Sequence, residues 1–175
     1  MSDLARERLR LVRWTVTSGS NVNSRAAVVL RAAHHDWQAS AEGNGAVDAL
    51  LRAVNLALVE VLGGAPLLLA FDVHALSEGP AAEGRVTVRI APPLTATGER
   101  SDGRFTGEVS STNIIAASVE AYVAALNEML GSGSWTGAAE DVVAKRERGT
   151  GDEPESGEAE YLHGRTIDTS AWFNR

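Results

Sequence analysis

Residues 11–19, "LVRWTVTSG", alternate: Val12, Trp14 and Val16 fall on one face while Arg13, Thr15 and Thr17 fall on the other. That period of two marks a half-buried strand. "RAAVVLRAA" and "DWQASAE" follow as two further short strand candidates. The period then changes. Val47, Leu50, Leu51, Val54, Leu58, Val61 and Leu62 recur at helical spacing, with Asp48, Arg52, Asn55 and Glu60 between them, which predicts an amphipathic helix over 47–62. "GGAP" at 63–66 ends it, because glycine suits a left-handed cap and proline cannot continue a helix.

The same order then recurs. "LLLAFDVHAL" and "GRFTGEVSS" read as strands, and "GRVTVRIA" sets Val86, Val88 and Ile90 against Arg85, Thr87 and Arg89. A Ser-Ser-Thr-Asn cluster suited to capping precedes a second helix over 114–130. A shift of 68 positions carries Val47 onto Ile115, Leu51 onto Val119, Val54 onto Tyr122 and Leu58 onto Leu126. No single shift superposes the strands as well, so the pseudo-repeat rests on the helices and on the order of elements. The prediction is an α+β fold of two β-β-β-α units, sheets packed on helices, over residues 1–130.

Residues 131–175 differ in composition. "GSGSWTG" reads as a linker, "AAEDVVAKRER" as a short helix candidate and "GTGDEPESGEAE" as disordered polar sequence. The end, "YLHGRTIDTSAWFNR", brings back aromatics and is expected to be either a docking segment or a frayed terminus. Of the formal charge of −7, residues 1–130 hold 11 basic against 14 acidic side chains and residues 131–175 hold 5 against 9. Net acidity argues against a nucleic-acid partner, since phosphate backbones are met by basic surfaces. There is no cysteine, so disulfides and thiolate metal sites are excluded. No apolar run reaches the ~18 residues of a membrane span, and the start "MSDLARERLRLV" lacks the apolar core of a secretory signal. A soluble cytoplasmic protein is expected.

One short stretch carries candidate chemistry. In "SAEGNGAVDALLRAV", residues 40–54, two glycines bracket an asparagine where the first helix begins. The first four amides of a helix lack internal partners and sit at the positive end of its dipole, a setting that suits a carboxylate. Without Cβ atoms at Gly43 and Gly45 a small ligand or another backbone can approach closely.

Together with "FDVHALSEGPAAEGRVTVRI" and "GRFTGEVSSTNIIAASVEAYVAALNEML", this stretch resembles the C-terminal regulatory (allosteric, dimerisation) domain of 2-isopropylmalate synthase. The family shows an A-x-G-N-G-P-x-x-A segment, an aspartate-aromatic strand ending in His-Ala, an E-G-x-x-A-x-G turn and a D-I-x-x-A-S-x-x-A-Y helix. The resemblance runs colinearly over residues 9–130. It implies a small-molecule site where the two units and a dimer partner meet, holding the end-product leucine as feedback inhibitor; citramalate synthases share the domain, so a related branched-chain ligand is the alternative effector.

Carried over by position, Gly43, Gly45, Val47 and Asp48 supply the first turn, and Leu68, Phe71 and Ala75 the following strand. Ala82 and Gly84 come from the glycine-rich turn, and Ile114 and Ala116 open the second helix. Backbone amides would take the ligand carboxylate, with Asp48 as partner for its ammonium. Two departures stand out: Ala46 replaces the proline after Gly-Asn-Gly, and Asn113 replaces an aspartate. Both bear on affinity or ligand preference.

Other residues yield less. His34 and His35 are adjacent, and on a strand would point to opposite faces, so no shared metal is expected. His74 is read as structural or near the pocket, and Trp14 and Trp37 as core or interface residues. "SDGR" at 101–104 reads as a turn, and no nucleophile triad, phosphate loop or paired-carboxylate motif is present. The resemblance also implies what is absent: the synthase's chemistry belongs to a metal-binding TIM barrel, which needs about 250 residues, and no His-x-His occurs here. The expectation is therefore a free-standing regulatory domain without catalytic residues, metal or cofactor. It would bind leucine or a relative, form a homodimer and regulate a separate synthase subunit. The alternatives are a dimerisation or interaction module without ligand, or a residual acyltransferase-associated subunit.

Overall fold

A computed structural model describes residues 8–94 and 102–132. The chain forms β1 (Arg10–Thr17), β2 (Ser24–Ala32) and β3 (His35–Gly43), then α1 (Ala46–Ala57) and the short α2 (Val59–Leu62). β4 (Leu67–Ala75), β5 (Gly84–Ala91) and β6 (Phe105–Ser111) follow, and α3 (Ile114–Gly131) closes the described fold. Each set of three strands is an antiparallel sheet in sequential order, β1-β2-β3 and β4-β5-β6. This is the expected α+β arrangement of two β-β-β-α units. The linker, short helix and aromatic end expected beyond residue 132, and Ser101 of the "SDGR" turn, lie outside the described residues.

The repeat goes deeper than the sequence suggested. Arg10 stands opposite Arg31, and Leu67 opposite Ala91; Thr17 opposite Arg25, and His74 opposite Arg85. Trp37 faces Leu30 as Phe105 faces Ile90, and Gly43 faces Ser24 as Ser111 faces Gly84. The outer strands therefore correspond at a shift of 57 (10 to 67), the central strands at 60 (31 to 91), and the third strands at 68 (43 to 111). Helices α1 and α3 also start 68 apart (46 to 114). Unequal loops, not unequal sheets, defeat a single superposition.

Both outer strands carry a bulge at the same place, between Leu11 and Arg13 and between Leu68 and Ala70. It corrects one detail of the alternation. Val12 does not share a face with Trp14 and Val16: the extra residue shifts the phase, so Leu11, Trp14 and Val16 pack against the core while Val12 is exposed. A second correction concerns the first helix, expected as one element over 47–62. The backbone leaves helical geometry at Leu58 (φ −104°, ψ 12°) and resumes for one turn. Leu58 and Leu62 are both buried across this break, as their helical spacing predicts. Gly63 ends this turn at φ 67°, the left-handed cap expected of it, and its N–H donates to the carbonyl of Val59.

One continuous core joins the units. Val28, Leu30, Leu50 and Val54 from the first unit and Val86, Val88, Ile90 and Leu126 from the second are all fully buried. Polar links also cross between them. The hydroxyl of Tyr122 on α3 donates to Asn55 Oδ1 on α1 at 2.6 Å, and burial pushes this phenol up to about 12. Asn127 clamps Leu9 at both ends, accepting from its N–H and donating to its carbonyl, each at 2.8 Å. Helix α3 has the length and apolar character of a membrane span, but half of it is buried inside the fold. Its alanines explain this. A Cβ on Gly107 of β6 would collide with the carbonyl of Ala121 and the amide of Ala125, so α3 lies almost on the strand backbone.

Candidate functional site

Of the eleven residues expected to hold a ligand, Gly43, Gly45, Val47 and Asp48 lie where β3 turns into α1, and Ala75, Gly84, Ile114 and Ala116 lie where β6 turns into α3; Ala82 is in the β4–β5 turn, and Leu68 and Phe71 are further along β4.

At the first corner Gly43 ends β3 in a buried position opposite Ser24. A Cβ there would press on the Asp48 carboxylate and on the backbone of Ala49. The space at Gly43 is thus used by the protein itself. Asp48 folds back over the turn, accepts the N–H of Asn44 at 2.9 Å and is held by Arg52 Nε at 2.9 and 3.0 Å. The Arg52 guanidinium, with help from the Asn44 amide, holds this carboxyl below its ordinary range. Gly45 differs. It is the N-cap of α1, in extended backbone (φ −155°), with no side chain capping the helix. A Cβ on Gly45 would meet nothing within 4 Å, so this side of the helix start is open. Val47, half-buried, packs against the core from the same turn.

At the second corner Ala75 lies opposite Gly84, which in turn lies opposite Ser111. A Cβ on Gly84 would collide with Cδ1 of Ile114. Asn113 caps α3, accepting from the N–H groups of Ile115 and Ala116 at 3.1 Å each. The first turn of α3 is therefore occupied by a side chain where that of α1 is not. Ala82 sits in the turn between β4 and β5, its N–H donating to the Gly79 carbonyl at 3.1 Å. Gly79 adopts φ 100°, a conformation that needs glycine.

Leu68 and Phe71 share a face of β4 with Ala75, as the pairings of Leu68 with Ile90 and Phe71 with Val88 require. Ile90 and Val88 are fully buried under α3, yet Leu68 is 44% exposed and Val73 45% exposed. The principal neighbour of β4 is β5; helices α1 and α3 both reach β1 instead. Leu68 and Val73 thus leave apolar surface exposed along β4, on either side of the half-buried Phe71, which packs against the core. Val73 is absent from the residues expected from sequence, although the alternation Phe71, Val73, Ala75 signals it. His74 points to the opposite face, beside Arg85.

The two corners differ in what they expose. One end offers uncapped amides and a carboxylate; the other offers small residues and exposed apolar surface. Among the described residues no cluster of three metal-ligating side chains occurs. A separate solvent-open hollow of about 410 Å³, lined by Thr17, Val22, Asn23, Arg25 and Glu42, lies outside the expected set. It is bridged by the Arg25–Glu42 ion pair at 2.8 Å, on the polar face of the first sheet.

The fold is thus a pair of repeated β-β-β-α units sharing one core. Residues 1–130 match the model of the LeuA allosteric (dimerisation) domain, and the chain belongs to that family. It is similar to the 2-isopropylmalate synthase of Aromatoleum aromaticum, at 35% identity over 70% of this chain and 22% of the relative. The Prochlorococcus marinus (strain MIT 9303) 2-isopropylmalate synthase is 38% identical over 72% of this chain and 21% of its own length. That of Thiobacillus denitrificans is 37% identical over 70% and 22%. The chain thus spans about a fifth of the length of these relatives.

Proposed function

We propose that this domain binds leucine, or a closely related branched-chain amino acid, at the corners described above. Binding would regulate a 2-isopropylmalate synthase catalytic partner within a homodimer. The observation that carries this reading is the exposed apolar surface along β4, which ends at the small residues Ala75 and Gly84 in a domain whose family is described as allosteric and dimerising. That surface is open to a ligand side chain and to a second copy, while the open amides near Gly45 suit the carboxylate. Burying a leucine side chain contributes about 1.5–3 kcal/mol. Micromolar binding needs about 8 kcal/mol. Recognition of both charged ends is therefore required, and Asp48 would take the ammonium in exchange for Arg52. Regulation follows only as far as the ligand prefers one conformation of the assembly.

Isothermal calorimetry and thermal shift with leucine, isoleucine and valine test the reading; a flat response to all three removes it. Sedimentation tests the dimer.

One observation favours a second reading, a dimerisation module without ligand: the space at Gly43 and the N–H of Asn44 are already taken by Asp48. Gly45→Val separates the two. Its Cβ meets open space and its φ is one any residue adopts, so the fold tolerates it. A sensor would lose its ligand response, whereas a scaffold would assemble unchanged.

A further inference from the structure

β4 is an outer strand of its sheet, and its free edge is unlike that of β1. Seven of its nine residues are exposed, against four of eight in β1. β1 carries Arg10 and Arg13, charges of the kind that discourage further strand pairing. β4 instead opens with Leu67, Leu68 and Leu69, exposed by 46%, 44% and 40%, and among the described residues only β5 pairs with it. An apolar edge of this length is a template for one more strand.

The chain supplies such a strand beyond the family's domain. The family match ends at residue 130, and the relatives named above align with 70–72% of the chain. Past that point, "RTIDTSAWFNR" sets Ile167, Thr169, Ala171 and Phe173 against Thr166, Asp168, Ser170 and Trp172, the period of a strand with one largely apolar face. Position and length also fit. Glu128, in the last turn of α3, accepts the N–H of Thr106 at 2.9 Å, so α3 ends beside the start of β6. Phe105 pairs with Ile90 and Ile90 with Leu68, which puts that end about 10 Å, two strand spacings, from the exposed leucines. Residues 133–165 begin Gly-Ser, and a Gly/Ser-type chain of that length spans about 30 Å.

We propose that residues 166–173 pair with the free edge of β4 in the same molecule, as a further strand that lays Ile167 and Phe173 against the exposed leucines. The edge and the inner face of β4 are separate surfaces, so the face offered to a second copy is widened and not blocked.

Residue-resolved amide hydrogen exchange on the full chain tests this, comparing wild type with Ile167→Asp/Phe173→Asp and with Thr169→Pro. The alternate β4 amides that point away from β5 should exchange at least about tenfold more slowly in wild type than in the double variant. Thr169→Pro, which deletes a strand N–H without adding charge, should lower the protection in the same way. The β5 amides of Val86 and Val88 should keep their protection in both variants, which establishes that the fold is intact. Equal exchange of the β4 edge in wild type and both variants overturns the proposal. So does protection that wild type loses on dilution, which would mean that a second molecule holds the edge.

Discussion

β1 and β4 hold the same place in their units, pair with their neighbours in the same register and carry a bulge at the same position. Their inner faces are covered to different extents, although Phe71 packs against the core as its counterpart Trp14 does. Leu11, Trp14 and Val16 of β1 pack against the core with α1 and α3 nearby, and Asn127 clamps the strand's start. Leu68 and Val73 of β4 are left 44% and 45% exposed. Local sequence does not explain this, since both strands are apolar on that face. The helix layer does: α3 lies flat on β5 and β6 and reaches toward β1, leaving the far edge of its own sheet bare. A repeat that covers one of two equivalent faces has a face to offer something else.

The close seat of α3 is the point at which this asymmetry breaks most sharply. Gly107 corresponds, at the shift of 68, to Ala39 of β3, so the first unit already tolerates a Cβ where the second has none. Gly107→Ala should cost about 3 kcal/mol, the upper end of overpacking, because the clash is with helix backbone. Ala39→Gly should cost only about 0.5–1 kcal/mol through chain entropy. Urea denaturation of the two variants reads the difference directly, and equal costs would remove the claim that α3 is the more tightly seated helix.

The exposed surface of β4 predicts a division of labour between the outer strands. Val73→Ser should weaken self-association about tenfold, corresponding to roughly 1.5 kcal/mol of lost apolar burial, with little change in monomer melting. Val16→Ser should do the reverse, lowering the melting temperature and sparing association. Analytical ultracentrifugation beside thermal melts checks both halves. If Val73→Ser melts early and associates normally, β4 is merely part of the core.

Much of this was legible in the chain and some was not, for physical reasons. Periods of 2 and 3.6 place six strands and two helices because alternating or spiralling burial is what a two-layer fold demands. The bulges escape detection: Val12 alternates correctly with Trp14, and the run Leu67-Leu68-Leu69 has no alternation to interrupt. So does the tight turn at Ala33 and His34, where Ala33 adopts φ 52° without the glycine or asparagine that usually announces one. The small residues of the site are visible in sequence, but not who uses the space they leave. Gly43 makes room for Asp48 and Gly84 for Ile114, and only the packing of a strand end under a helix start decides that.

The helix starts provide a finer contrast. Asn113 caps α3 through two amides, whereas no side chain caps α1. Asn113→Ala should therefore cost about 1 kcal/mol, a typical cap loss, and the cost should be the same at neutral and acidic pH because an amide does not titrate. Chemical denaturation at two pH values is sufficient. A pH-dependent cost would mean that a charged group, not the amide, stabilises this helix.

Asp48 should behave in the opposite way. Its carboxyl is held below the ordinary range by Arg52 and the Asn44 amide, so the folded state binds its proton more weakly than the unfolded chain. Its stabilisation is then fully present above the unfolded carboxylate range near pH 4 and fades as pH falls through the lower, folded value. The side chain is 41% exposed, so solvent screening limits the effect to a few tenths of a kcal/mol. Asp48→Asn should lower stability by that small amount at pH 7, and the gap to wild type should close on acidification. Arg52→Gln should reproduce the same convergence, since it removes the guanidinium that holds the carboxyl down. A gap that widens toward acid would mean that Asp48 is strained at this corner, kept there for a ligand's ammonium and not for the helix.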